Sequence, residues 1–139
     1  MTEKKSLKPV PVTQPWTEEF WKAAKQHKFL IQHCHDCDIN IFYPRKFCPD
    51  CWGTNLGWIE ASGRGKLHTY TVTHYGVEQR FAADLPFVLA LVDMEEGIRV
   101  MTRIVNCKHE NLKCDMPVEL TWEDLDENFS LYFFQPAKA

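Results

Sequence analysis

Four of the six cysteines stand in two C-x-x-C pairs, Cys34-His35-Asp36-Cys37 and Cys48-Pro49-Asp50-Cys51, with ten residues between them. Two residues between thiols let one tight turn present both sulfurs to one ion. Two such turns, brought together by a hairpin, complete a tetrahedron. One zinc ion held by Cys34, Cys37, Cys48 and Cys51 has every coordination position filled by protein, so it is structural and not catalytic. A module this small cannot close a core alone, and the metal supplies folding free energy. An iron–sulfur centre would accept the same thiolates. A redox C-x-x-C usually comes singly in a βαβ setting that this sequence lacks. His33 and His35 flank the first pair, and either could replace a cysteine; the plainer reading makes them solvated or outer hydrogen-bond partners. Cys107 and Cys114 lie far off and read as buried free thiols. Cys107 with His109 has a spacing that could serve a nucleophile and its base, but nothing nearby supplies an oxyanion hole. P-loop, G-x-G-x-x-G, G-x-S-x-G and H-E-x-x-H patterns are missing, and no catalytic residue is assigned.

These cysteines need a scaffold, and the chain supplies short strands. Residues 1–15 carry three prolines and no periodicity, the texture of an extended arm. Thr17 is placed as the N-cap of a helix that fades near Lys28, with Glu18 and Glu19 in its first turn. Trp16 before the cap and Trp21 four residues into the helix have the spacing of a hydrophobic staple. The apolar face with Phe20, Trp21 and Ala24 must dock on this chain or on a partner subunit. Strands are predicted at 29–33, 40–43 and 56–61, closed by the turn Ser62-Gly63-Arg64-Gly65. From Lys66 a period-two pattern sets Leu67, Thr69, Thr71 and Thr73 against His68, Tyr70, Val72 and His74. The continuous apolar run 87–94 turns at Glu95-Glu96-Gly97 into 98–105, a hairpin. Two more strands fall at 118–122 and 131–134. The fold class is therefore mainly β: an N-terminal helix, a rubredoxin-like zinc ribbon, and a five-stranded OB-fold barrel. The expected organisation is an arm and docking helix over 1–28, the ribbon over 29–61 and the OB-fold over 62–139.

Composition narrows the function. Hydrophobic residues make up 45% of the 139, with nine Phe and five Trp, enough for a packed core. A net charge of −3 disfavours a nucleic-acid binder that relies on neutralising phosphates. No apolar run reaches the ~18 residues of a membrane-spanning helix, and the N-terminus lacks the pattern of a secretory signal. A cytoplasmic protein is expected, with reduced thiols.

FLIQHCHDC, PRKFCPDC, SGRGKLHTYTVTH and LPFVLALVDMEEGIRVMTRIV, behind a tryptophan-bearing helix, together resemble one family over residues 16–136. It is the family of zinc-ribbon plus OB-fold proteins of acyl-CoA metabolism, formerly a domain of unknown function. The resemblance implies a non-catalytic accessory subunit in a hetero-oligomer. It would sit beside a thiolase-like enzyme subunit, which supplies the catalytic groups, or beside a CoA-thioester hydratase or aldolase. Benzoylsuccinyl-CoA thiolase of aromatic degradation and the enzymes of steroid side-chain breakdown are settings it implies. Two positions depart from the family pattern. Asp38 stands where glycine often follows the first knuckle, and Cys114-Asp115-Met116-Pro117 lacks the glycine that often precedes the fourth barrel strand.

A CoA thioester offers phosphates to cations and a long neutral arm to an apolar slot. Arg45, Lys46, Arg64, Arg80 and Phe81 are the candidate contacts; Arg64 is read in a Gly-flanked turn, and Arg80 and Phe81 in a loop placed to act as a lid. Any one of these arginines is more simply a surface charge. Arg99 and Arg103 alternate with apolar residues and read as the solvated face of a strand. Trp16, Phe20 and Trp21 are the candidate partner-docking residues. Two other classes compete: single-stranded nucleic-acid binding, with Tyr70, Tyr75, Trp52 and Trp58 as stacking platforms, and an enzyme using Cys107 or Cys114.

Overall fold

The computed structural model describes residues 8–138, so the first seven residues of the expected arm lie outside the described residues. One helix, α1 (Glu18–Lys25), precedes eight strands: β1 (Leu30–Cys34), β2 (Ile39–Ile41), β3 (Leu56–Glu60), β4 (Arg64–Thr73), β5 (Phe87–Met94), β6 (Arg99–Ile104), β7 (Pro117–Asp124) and β8 (Ser130–Pro136). The first three form an antiparallel sheet in the order β2-β1-β3, and the other five close a barrel in the order β4-β5-β6-β8-β7. Closure comes from β7 pairing with β4 and from a parallel bridge between Ile104 and Phe134. This is the expected mainly-β arrangement of helix, ribbon and five-stranded OB-fold barrel.

Helix α1 begins where the sequence placed it, but its cap works differently. The Thr17 hydroxyl turns back, accepting from the Gln14 amide at 2.9 Å, and makes no bond into the helix. At the other end His27 takes the left-handed conformation (φ 61°) that glycine usually supplies. The His27 and Lys28 amides return to the carbonyls of Ala24 and Ala23. The His27 ring holds this turn by stacking on Trp122, 9° from parallel, and bonding Asp124 at 2.8 Å.

Phe20 is 3% exposed. Its ring meets Trp21, Phe29, Phe42 and Tyr132 at 5.0–6.0 Å. The apolar face of the helix is therefore satisfied within this chain, which corrects the reading of Phe20 as a partner-docking residue. Trp21 is half-buried against Phe129, and Trp16 is exposed. Phe29 and Ile31 of the ribbon share one apolar core with Leu67, Val92, Val100 and Phe134 of the barrel.

The alternation in β4 breaks once. A bulge between Leu67 and Thr69 leaves His68 and Thr69 both outside, so the period-two phase flips and Tyr70 and Val72 pack towards the core on the same side as Leu67. Gly65 lies where a Cβ would come within 2.6 Å of the Asp93 carbonyl, so β4 and β5 approach there as only glycine allows. Arg64 opens strand β4, opposite Glu119, instead of sitting in the turn expected for it. The turn before β7 uses Asp115 at φ 68°, and its amide bonds the Leu67 carbonyl at 2.6 Å.

Candidate metal centre and the surfaces around it

The two knuckles are built alike. In the first, Asp38 is left-handed (φ 55°) and its amide bonds the Cys34 carbonyl at 2.8 Å; in the second, Trp52 (φ 62°) does the same to Cys48 at 2.9 Å. Aspartate thus takes the glycine-type position that it tolerates better than most residues. Backbone amides then face the sulfurs: Cys37 towards Cys34 Sγ, Asp50 towards Cys48 Sγ and Gly53 towards Cys51 Sγ, each at 3.4 Å. Such donors stabilise negative sulfur.

The hairpin of β1 and β2 carries the first knuckle to the second. All four Sγ atoms lie within 4.8 Å of one another, and Cys34 and Cys51 are 3.7 Å apart. Four sulfurs at zinc–sulfur bond length on a tetrahedron stand about 3.8 Å apart, so the spacing fits one zinc ion. Cys34 and Cys48 are fully buried, Cys37 is half-buried and Cys51 is exposed. Protons suit this crowd badly. The Cys37 thiol is pushed up to about 12, chiefly by its hydrogen bond to Cys51, while the Cys51 amide leads in holding Cys48 down to about 7. A divalent cation resolves the conflict by taking all four as thiolates. Four protein sulfurs make a closed site, and the zinc it takes is structural.

Neither flanking histidine joins the sulfur cluster. His33 bonds Asp38 at 3.1 Å through Nε2 and Asn40 at 2.8 Å through Nδ1, and the Asn40 amide donates to the Glu96 carbonyl at 2.9 Å. A polar chain therefore runs from the first knuckle to the β5–β6 hairpin of the barrel. His35 packs over Gly57, where a Cβ would lie 2.5 Å from its ring. Buried Gln32 donates to the Arg45 carbonyl at 2.8 Å and accepts from the Arg45 amide at 2.7 Å, fixing the segment between the knuckles. Single glycines and a lone glutamine carry no sequence pattern that marks these roles.

The structure does not gather the candidate CoA contacts. Arg45 and Lys46 are exposed on the ribbon, with Lys46 over the Phe47 ring at 5.8 Å. Arg64 lines a cavity of about 610 Å³ with Lys66 and Lys138, by the end of β5. Arg80 is paired to Glu78 at 2.8 Å, in the loop that leads into the start of β5. Phe81 covers Arg103, which lines a separate cavity of about 490 Å³ there. Arg103 is not on a solvated face: its guanidinium lies 3.8 Å from the centre of the Phe87 ring. Cys107 also lines that cavity, half-buried, with its thiol donating to the Lys108 carbonyl at 3.4 Å. Burial pushes its pKa up, the opposite of what a nucleophile needs. Cys114 is exposed, which corrects its reading as a buried thiol. Among the described residues no helix is long and apolar enough to cross a membrane.

Comparison with known proteins agrees with this architecture. Residues 21–57 match the model "ChsH2, rubredoxin-like zinc ribbon domain", and residues 58–123 match "ChsH2, C-terminal OB-fold domain". A "Probable enoyl-CoA hydratase alpha subunit" of Thermomonospora curvata is 33% identical over 96% of this chain, which spans only 41% of that relative's length. A "DUF35 domain-containing scaffold protein" of Methanocaldococcus jannaschii is 34% identical over 78% of this chain and 77% of its own. "Benzoylsuccinyl-CoA thiolase subunit BbsA" of Geobacter metallireducens is 28% identical over 63% of this chain and 57% of its own. A solved structure described as "Ltp2-ChsH2(DUF35) aldolase" superposes with a TM-score of 0.82 at 31% identity, over 91% of this chain and 98% of the matched one.

Proposed function

The chain belongs to the DUF35 family of zinc ribbons joined to an OB-fold, and on that basis we propose that it is a non-catalytic accessory subunit of a CoA-thioester enzyme. The observation that carries the reading is a likeness over 91% of the chain to a structure described as an aldolase containing ChsH2(DUF35), combined with a closed sulfur site that offers no position to a substrate. The zinc holds the ribbon rigid, the ribbon shares the barrel's core, and the two act as one docking body in a cytoplasmic hetero-oligomer.

The partner is a thiolase-type subunit or a hydratase or aldolase subunit. Relatives described as hydratase, aldolase and thiolase subunits support both classes. Trp16, exposed ahead of the helix, and Arg45 and Lys46, exposed between the knuckles, are the proposed contacts to partner and CoA. The test is to co-express the chain with a thiolase-type, a hydratase and an aldolase subunit from the same organism, and to measure complex mass and turnover. One stable complex, whose enzyme loses activity when this chain is withheld, is expected. Independent elution from every such subunit, with each fully active alone, contradicts the reading.

A further inference from the structure

The loop between β4 and β5 has almost nothing of its own to hold it. Its short 3-10 turn, Gln79–Asp84, contains no fully buried residue. Tyr75 before it is 87% exposed, and Gly76 has only open space around it. A loop with so little apolar burial belongs to the low-stability end of a fold. Yet two of its side chains converge on one residue of the barrel. Asp84 meets Arg103 at 3.0 Å, and the Phe81 ring lies 5.5 Å from the Arg103 guanidinium carbon.

Arg103 is unusually well seated for this task. Its side chain is 14% exposed. The guanidinium lies on the Phe87 ring at 3.8 Å and beside Phe133 at 5.6 Å. These rings belong to β5 and β8, so the cation stays in place whatever the loop does. Lys8 adds a second tie, since its ammonium reaches Asp84 at 3.1 Å and Glu123 of β7 at 2.5 Å. The two cations outweigh the burial that disfavours an ionised Asp84, and its carboxyl is held below the usual range. Beyond Arg103 lies the cavity of about 490 Å³, lined also by Val88, Ile104 and Phe133.

We propose that residues 76–86 form a flap over this end of the barrel, latched by Asp84 and Phe81 onto the ring-seated Arg103, and that the flap opens as a unit while the barrel stays folded. Among the described residues its ion pairs and ring contacts to the barrel run through Asp84 and Phe81, and both can leave without disturbing a strand. This inference is independent of which enzyme the chain assembles with, and it can be tested on the isolated chain.

Hydrogen–deuterium exchange of the zinc-loaded full chain tests it, comparing wild type with Asp84→Asn, Phe81→Ala and Arg103→Lys. Asp84→Asn keeps the shape and removes the charge, so it should fold normally. Loss of the charge that meets both Arg103 and Lys8 predicts at least about tenfold faster exchange of the amides at 79–85. Phe81→Ala should act in the same direction. Arg103→Lys keeps the charge but not the flat face that lies on the rings, and it should also loosen the flap. Exchange in β5 and β6 should be unchanged in the Asp84 and Phe81 variants. Wild-type rates at 79–85 in Asp84→Asn would overturn the proposal. So would acceleration there that is matched throughout the barrel, because the loop would then open only with global unfolding.

Discussion

Replacing Phe20 by alanine separates a helix that belongs to the fold from one reserved for a partner. The side chain is 3% exposed and stands among four aromatic rings, two from the ribbon or helix itself, Phe29 and Trp21, and two from β8 and the segment after β2, Tyr132 and Phe42. Truncating a buried phenylalanine costs about 3–5 kcal/mol. The edge-to-face contacts place this site near the middle of that range or above, so a loss of about 4 kcal/mol is expected. Helix α1 has only one other buried anchor, Ala24, and little remains to keep it seated. With a urea dependence of about 2 kcal/mol per molar, the unfolding midpoint should fall by about 2 M. The assay is urea unfolding at saturating zinc, followed by far-ultraviolet circular dichroism. Trp16→Ala serves as the comparison; that residue precedes the cap and is 37% exposed, and its loss should cost less than about 1 kcal/mol. A Phe20→Ala midpoint within experimental error of wild type would refute the reasoning, because the helix would then contribute nothing to the folded chain.

The other predictions probe the centre, the barrel and the flap. Gly65→Ala should destabilise the barrel by about 2 kcal/mol or more, since the new Cβ meets the Asp93 carbonyl at 2.6 Å, while zinc content stays unchanged; thermal unfolding and elemental analysis together check this. Gln32→Ala should cost about 1–3 kcal/mol and raise exchange at the Arg45 amide, because both backbone groups of Arg45 lose their buried partner. For Asp84 the folded carboxyl titrates below its unfolded value, so its contribution is full above the ordinary carboxylate range and disappears as pH falls through the lowered value. Lys8 and Arg103 face it, and Glu123 shares Lys8. The stability gap between wild type and Asp84→Asn should therefore be constant near neutral pH and close on acidification; a gap that widens in acid contradicts this. Acid should also strip the zinc, because protons compete for the four thiolates, and a chelator should remove metal faster as pH is lowered.

The strands and the cysteine site were legible because their patterns are local. Short apolar runs, one period-two pattern and the turn signals between them placed all eight strands within about three residues of their observed ends, and the C-x-x-C spacing named the sulfurs that meet. The rest depends on contacts between distant segments. The bulge after Leu67 reverses the phase of β4, and nothing in a period-two pattern marks the residue at which it slips. Arg103 occupies an outward position of β6, where a charge ordinarily meets water. The rings of Phe87 and Phe133 and the returning loop bury it, and all are brought there by the barrel's closure. Phe20 and Trp16 look alike from sequence, yet Phe20 lies in the core and Trp16 is exposed, because the helix begins at Glu18 and turns only Phe20 onto the Phe29–Tyr132 cluster. Asp38, His27 and Trp52 fill positions usually given to glycine, so composition alone understates the turns this chain can make.

Metal content is to be measured by elemental analysis and native mass spectrometry on the chain purified without added metal. One zinc per chain is expected, held by all four cysteines, with its loss and unravelling of the ribbon in Cys48→Ser. A chain that is fully folded with no metal, or one that retains its zinc after Cys48→Ser with the ribbon intact, would contradict this.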